Sequence, residues 1–371
     1  MNRRYVLKKI LSCLVVLFVV ITLNFFLPRL VFSDPAAPYY AGVPEDAVLL
    51  RQQIREEYGF DRPVLTQYFL YLERIFTLDF GVSHVYKTPV FEVMFSRIPW
   101  SAALSLTSMI ISAVLGVYFG ASASKNRGKK QDKILLRLSS VTTAVPTFWV
   151  ALISVMLFAF VIPIFPYRGA MTAGYRLEFN PAAFLISAGA TVVLTAVLYR
   201  IFKKGAVLAA VPLCGLFVSV MIAVPFGDVM DVAYHSILPL TVISSGGVVG
   251  YALTVRNGMI ATVSEDYILT ARAKGLPERK ILFGHAFRNA LLPLVTSLGM
   301  SLAGIFGGSV LIEKIFSWPG MGQLLLEAND TGDFQLAQAI MLFFAILTIA
   351  SNFITDLIYH KLDPRVSVAG R

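Results

Sequence analysis

The chain's four histidines, His84, His235, His285 and His360, and its two cysteines, Cys13 and Cys214, are the side chains best suited to hold a metal or to pair as nucleophile and base. Their spacing supports neither role. The histidines fall in different loops and span ends, where each reads as an interface or hydrogen-bonding residue. Both cysteines lie inside apolar runs, which suits small buried residues and builds neither a zinc motif nor a disulfide framework. The sequence contains no GxxxxGK[ST] phosphate loop and no HExxH pair. A proton- or ion-coupled carrier usually keeps a carboxylate at mid-membrane, because a charge there is costly and retained only for work. Here Asp356 lies toward one end of its apolar run, and no span pairs a nucleophile with a base. The sequence therefore assigns this chain no catalytic residue, no metal ligand and no cofactor-binding residue.

One stretch stands apart in chemistry: EDYILTARAKGLPERKILFGHAFRNALLP, residues 265–293, charged and helix-patterned between two oily runs. Thr262 and Glu265 have the spacing of a capping box, with Glu265 and Asp266 near the positive end of the helix they would start. Tyr267, Ile268, Ala271 and Gly275 share one side. Lys274 lies near the negative end, Gly275 can stop the helix in a left-handed turn, and Pro277 suits the first turn of a second helix. In that second helix Leu282, Ala286 and Ala290 share one face, and Lys280, Gly284 and Arg288 another. The pattern predicts a helix, a sharp Gly-Leu-Pro corner and a second helix feeding directly into the next span. A soluble partner could grip such an elbow and push on two membrane helices at once. The plainer reading is a surface loop held against lipid headgroups by its basic residues.

The elements that would position this elbow follow from composition. Hydrophobic residues make up 57% of the 371 and charged ones only 15%, with a mean hydropathy of +0.72, which places the chain among membrane proteins. The formal charge of +10 could suggest nucleic acid, but the basic residues flank apolar runs, so no nucleic-acid partner is expected. A spanning helix needs about 20 mainly apolar residues. Eight segments qualify, near 10–27, 100–122, 138–162, 182–199, 206–226, 236–255, 290–312 and 336–358. The first follows Arg3, Arg4, Lys8 and Lys9; its run is longer than a signal peptide's and reads as an uncleaved anchor. With the N-terminus inside, the cytoplasmic segments hold 22 of the 32 Lys and Arg, and both termini are cytoplasmic.

Two loops face the other side. Residues 28–99 carry two amphipathic patterns, one on Val48, Leu49, Ile54 and Tyr58, the other on Leu65, Phe69, Leu72 and Phe76. Both predict helices on the bundle or at the outer membrane interface. Residues 313–335 turn at Pro319 and Gly320. The pairs Gly116/Gly120, Gly246/Gly250 and Gly304/Gly308 each put two small residues on one helix face and predict close, movable packing. Pro146 and Pro163 should break or kink the third span at its ends. The expected organisation is an N-terminal end and first span at 1–27, an extracytoplasmic loop at 28–99 and the membrane domain at 100–371. The last contains an inserted helix pair near 181–230 and the elbow loop at 257–289.

The elbow stretch also resembles the coupling-loop signature of permease subunits of ATP-binding-cassette importers, and within them the dipeptide/oligopeptide/nickel group. The general signature runs Glu-Ala-Ala, three residues, Gly, then nine residues and Ile-x-Leu-Pro. Here Glu265 opens the stretch, the alanines are Ala271 and Ala273, and the tail is HAFRNALLP; these departures match the peptide-permease version. The likeness continues through YGFDRPVLTQYFLYLERIFTLDFGVS, HSILPLTVISSGGVVGYALTVRNGM, LIEKIFSWPGMGQLL and LDPRVSVAGR, and so covers most of the chain. That family typically has six spans, and the pair at 181–230 looks inserted.

The resemblance implies an all-α polytopic bundle of about eight spans, a six-helix core plus the pair, in the cell membrane. It implies a second permease subunit, the family favouring a heterodimer, two cytoplasmic ATPases that carry the ATP and Mg²⁺, and an external solute-binding protein meeting loops 28–99 and 313–335. The ATPase-docking residues would be Glu265, Asp266, Ala271, Arg272, Ala273, Lys274, Gly275 and Pro277. Peptides are the leading substrate, nickel or another metallophore the alternative. A stand-alone carrier, using the elbow only as a membrane-surface helix, is the reading from a different class.

Overall fold

The structure is a computed structural model that describes residues 3–31, 48–57, 59–172, 226–277, 280–281, 286–303 and 309–362. The inserted pair expected near 181–230 lies outside them except for its last residues. Among the described residues there is no β-strand, only an isolated bridge between Val82 and Pro89.

The helices are α1 (Arg3–Val31), α2 (Val48–Glu57), α3 (Val64–Thr77), α4 (Val90–Lys125), α5 (Lys130–Ala144), α6 (Thr147–Val155), α7 (Phe226–Val263), α8 (Asp266–Ala273), α9 (Phe287–Ala290), α10 (Leu292–Ala303), α11 (Val310–Ile315), α12 (Met321–Asp330) and α13 (Phe334–Leu362). Four described helices are long and apolar enough to cross a bilayer, over Leu7–Leu27, Val90–Lys125, Gly227–Val263 and Phe334–Asp356. These match the expected first, second, sixth and eighth spans. The expected third span is broken: α5 ends at Val145, whose backbone is extended as a residue before proline must be, and Pro146 opens α6. A wider-coiled turn, Met156–Val161, ends just before Pro163. The expected seventh span is described over 290–303 and again from 309, where α11 begins at Val310, and the Gly304/Gly308 pair lies outside the described residues. The run 226–235, expected as a connection, is instead the start of α7.

Two compact units emerge. One comprises Met1–Leu152 with Pro239–Arg371, the other Ile153–Leu238. In the smaller unit, Asp231 accepts hydrogen bonds at 2.7 Å from both the backbone N–H and the hydroxyl of Thr172. Tyr234 donates to the Ile164 carbonyl and packs on Phe165 with ring centroids 5.9 Å apart.

The larger unit is held by a small-residue seam. Ser101, Ser105, Ser108, Ser112, Gly116, Gly120 and Ala123 recur every three or four residues along α4, and all are buried. A Cβ on Gly116 would lie 2.6 Å from Tyr251 Cβ, and one on Gly120 2.4 Å from the Ala252 carbonyl oxygen of α7. The backbones are therefore in contact, as dispersion-driven packing in lipid requires. On α7 the approach is made by Gly247, whose Cβ would lie 2.4 Å from Ser112 Oγ. The expected pair, Gly246 and Gly250, meets only Thr142 Cγ2 at 3.7 Å and open space respectively. The three-residue spacing identified a glycine-rich face one position away from the true contact.

At the end of the unit that holds the start of α13, Val90, Val93 and Met94 of α4 pack with Met321, Leu324, Leu336 and Ile340 of α12 and α13. Helix α1 lies along α13. Asn24 Nδ2 donates to the Gln338 carbonyl at 2.8 Å and Gln338 Nε2 returns a bond to the Asn24 carbonyl at 3.0 Å. At the other end of the pair, Lys9 meets Asp356 at 2.5 Å. The acid near the end of the last span is thus half of an ion pair between two helix ends.

Candidate functional site: the elbow

The elbow forms with one shift in its start. Helix α7 runs to Val263, and Thr262 uses its hydroxyl on the Gly258 carbonyl at 2.8 Å, so it caps nothing. The capping box read from Thr262 and Glu265 is not made. Glu265 is itself the residue before α8, in extended backbone, and its carbonyl accepts from Ile268 N–H at 2.9 Å. Glu265 and Asp266 still lie at the positive end of α8, where carboxylates are favoured.

The far end of α8 is a Schellman turn. Leu276 N–H reaches the Ala271 carbonyl at 3.3 Å and Gly275 N–H the Arg272 carbonyl at 2.9 Å. Gly275 takes φ +74°, the left-handed conformation in which a Cβ is strained. Leu276 folds back onto the buried cluster of Ile268, Ala271, Ile281 and Ala286, together with Val263. Pro277 then starts the next turn, its carbonyl accepting from Lys280 and Ile281 at 2.8 and 3.1 Å. The corner is therefore a packed object and not a floppy loop. Asn289 Nδ2 ties it to the next element through the Tyr267 hydroxyl at 2.9 Å.

Beyond it the chain passes through α9 into α10 with little interruption. Leu291 N–H bonds back to Phe287 and its carbonyl accepts from Val295. A Cβ on Gly258 would lie 2.6 Å from the Ala290 carbonyl oxygen, so α7 and the start of α9–α10 touch backbone to backbone. A force on the elbow meets two helices directly.

Of the eight residues expected to dock a partner, Glu265, Asp266, Arg272, Ala273, Lys274, Gly275 and Pro277 are exposed. Ala271 is buried and faces the elbow's own core, on the same side as Ile268. Among the described residues, a Cβ on Gly275 would meet nothing within 4 Å, so the corner opens away from them. Of the residues read as one side, only Ile268 and Ala271 face in; Tyr267 and Gly275 face out.

Two constellations escaped sequence reasoning. Asp132, buried in α5, receives Arg256 of α7 in a two-pronged bond at 2.8 and 3.0 Å, plus the Gly128 N–H at 2.8 Å. The pair binds the α4–α5 turn to α7 two turns before the elbow. A lone acid in the basic run KNRGKKQDKILLR was its only sequence signal.

The second lies at the opposite end of the unit. The Glu313 carboxylate accepts from Ser101 and Ser309 hydroxyls at 2.8 and 2.9 Å, and from Gly322 and Gln323 N–H at 2.7 and 3.2 Å at the start of α12. Burial pushes this carboxyl up from its usual range while the four donors pull it down, and burial wins. A Cβ on Gly320 or Gly322 would lie 2.3 or 2.9 Å from Glu313 Oε2. The stretch EKIFSWPGMG therefore needs both glycines to admit its own glutamate. Trp318 completes the joint, donating to the Trp100 carbonyl at 3.0 Å.

The elbow is a packed corner that joins α7 to α9 and α10 in a helical bundle, and comparison with known proteins places the chain in a family. The family described as binding-protein-dependent transport system inner membrane component matches residues 112–368, and its N-terminal companion matches residues 2–107. The chain belongs to this family. It is a multi-pass membrane permease of the ATP-binding-cassette importer class. Similar relatives include the oligopeptide transport system permease protein AppB of Bacillus subtilis (strain 168), 29% identical over 98% of both chains. The dipeptide transport system permease protein DppB of Lactococcus lactis subsp. cremoris (strain MG1363) is 29% identical, over 98% of this chain and 99% of its own. The oligopeptide transport system permease protein OppB of Haemophilus influenzae is 30% identical, with the same coverage.

Proposed function

We propose that this permease forms the translocation path for di- and oligopeptides, that an external solute-binding protein delivers them, and that two separate cytoplasmic ATPases drive the cycle. The observation that carries the coupling part is the Gly275 corner: rigid, left-handed, open outward and fused to α7 and α10. The peptide part rests on the names of the relatives, which are peptide permeases, and disfavours nickel. The elbow end of the bundle faces the cytoplasm in this reading, both termini with it, and the distribution of Lys and Arg supports that orientation. A second permease chain completes the path, and the family favours a different chain.

The mechanism needs only a bundle with two arrangements and a partner that binds them unequally. ATPase closure moves the elbow. The Gly258–Ala290 contact carries the motion into α7 and α10, and the glycine seam between α4 and α7 lets helices slide without opening a void. Affinity purification of the chain from its native membrane in mild detergent, with mass spectrometry of what accompanies it, tests this. Stoichiometric ATPase and a second permease are expected, both reduced in Gly275→Glu. A chain that purifies alone, unchanged by the substitution, would restore the stand-alone carrier.

A further inference from the structure

A cavity of about 180 Å³ lies between α1, the α2–α3 turn, α3 and the start of α13, far from the elbow. Its floor is apolar, with Phe25, Leu70, Ile75 and Phe334. Its polar lining has two signs. Arg62 and Arg74 reach it with no carboxylate partner among the described residues, whereas Arg29 is taken up by Gln67 at 2.9 Å, the Phe25 carbonyl and the Phe25 ring. Tyr71 accepts from Asn24 at 3.1 Å, and its own hydroxyl proton has no acceptor among the described residues. Burial pushes that phenol up to about 12, so it stays a donor. Glu56 and Asp79 supply the acids. Each has one oxygen engaged, by Gln52 at 2.9 Å and by the Gly81 N–H at 3.0 Å, leaving the other for a donor.

The cavity's depth is set independently. It sits at the ends of two membrane spans, Leu7–Leu27 and the helix opening at Phe334. Helix α3 walls it with Gln67, Tyr71 and Arg74, and on the opposite face carries Leu65, Phe69 and Phe76, which are 66, 65 and 83% exposed. An apolar stripe of that kind on a short helix at a span end belongs at the headgroup–acyl boundary. The amphipathic pattern expected for α3 thus faces away from the bundle, and α3 packs through Tyr68 and Tyr71 against Phe25.

We propose that this cavity binds a zwitterion with an oxyanion and an N–H-bearing ammonium, and that its occupant is a phosphatidylethanolamine headgroup. The phosphodiester takes Arg62, Arg74 and the Tyr71 hydroxyl, because guanidinium pairs well with phosphate and an apolar floor strengthens the bond. The ammonium takes Glu56 and Asp79. A free peptide shares this chemistry, but the cavity's place at two span ends behind an interfacial helix favours lipid.

The test is native mass spectrometry of the purified transporter complex after equilibration with phosphatidylethanolamine, phosphatidylcholine or phosphatidylglycerol. Retention of one phosphatidylethanolamine per chain is expected, above phosphatidylcholine, whose ammonium has no N–H, and above phosphatidylglycerol, which has none at all. Arg62→Ala with Arg74→Ala should lower retention about tenfold or more. Tyr71→Phe, which keeps the ring against Phe25, should lower it by less. Equal retention of all three lipids, or no change in the variants, would overturn the proposal. Displacement by the dipeptide Ala-Ala would also overturn it, and would make the cavity a peptide subsite; phosphoethanolamine displacing at micromolar concentration would show that a soluble headgroup suffices and refute the lipid as occupant.

Discussion

Gly275 offers the sharpest separation between a folding role and a docking role. Its φ of +74° is strained for any residue with a Cβ, at a cost of about 1 kcal/mol, and less for Asn. Among the described residues, nothing beyond its own chain neighbours lies within 4 Å of the Cβ position, so no steric penalty from them adds to that figure. The bent corner should therefore weaken about fivefold against its alternatives in Gly275→Ala, and less in Gly275→Asn. The Ile268, Ala271 and Ile281 cluster keeps the elbow formed in both. Gly275→Glu has the same backbone cost, so any further loss must come from what sits outside the corner. Capture of the ATPase by the tagged permease, normalised to permease recovered, is the assay, with labelled dipeptide uptake in parallel. Capture should stay near normal in Gly275→Asn, fall modestly in Gly275→Ala and collapse in Gly275→Glu. Full capture by the glutamate variant would refute the reasoning, because an open surface that tolerates a bulky charge is not a docking surface. Equal collapse in all three would assign the effect to the backbone turn alone.

Other expectations follow from the packing. Gly120→Ala should cost about 1–3 kcal/mol, because its Cβ would meet the Ala252 carbonyl at 2.4 Å, whereas Gly250→Ala should be neutral; thermal unfolding in detergent distinguishes them. Removing one partner of Asp132–Arg256, as in Arg256→Gln, should cost about 3–5 kcal/mol, and adding Asp132→Asn should recover part of it in a double-mutant cycle. Glu313→Ala should destabilise by at least about 3 kcal/mol by stranding its four donors, three of them buried. Since the folded Glu313 carboxyl titrates above its unfolded value, its contribution is fully present below the ordinary glutamate range and is lost as pH rises through the folded value. Stability of the wild type should fall across that window, and Glu313→Gln should flatten the decline; an unchanged slope would mean that other groups set it.

Local chemistry made much of this permease legible in one dimension. The Gly275-Leu276-Pro277 corner, the break at Pro146 and four apolar spans each rest on residues within a turn or two of one another, where backbone sterics and hydropathy act without help from the fold. The capping box failed for a reason within the same range: once α7 continues to Val263, the Thr262 hydroxyl bonds back to Gly258, and the helix boundary moves to Asp266. The spacing puts Ala271 on the side of Ile268, yet which side faces inward depends on where Ile281 and Ala286 return. In lipid, hydropathy marks a span but not its packed face, because lipid and protein are equally apolar. Hydropathy therefore does not distinguish Gly246 from Gly247, and only the packing shows that Gly247 meets α4. The joints decided by tertiary structure alone are those whose halves lie far apart in sequence: Asp132 with Arg256, Ser101 with Glu313, Asn24 with Gln338. Each is a polar contact whose partner is supplied by a distant helix, and only the assembled bundle brings the two within hydrogen-bond reach.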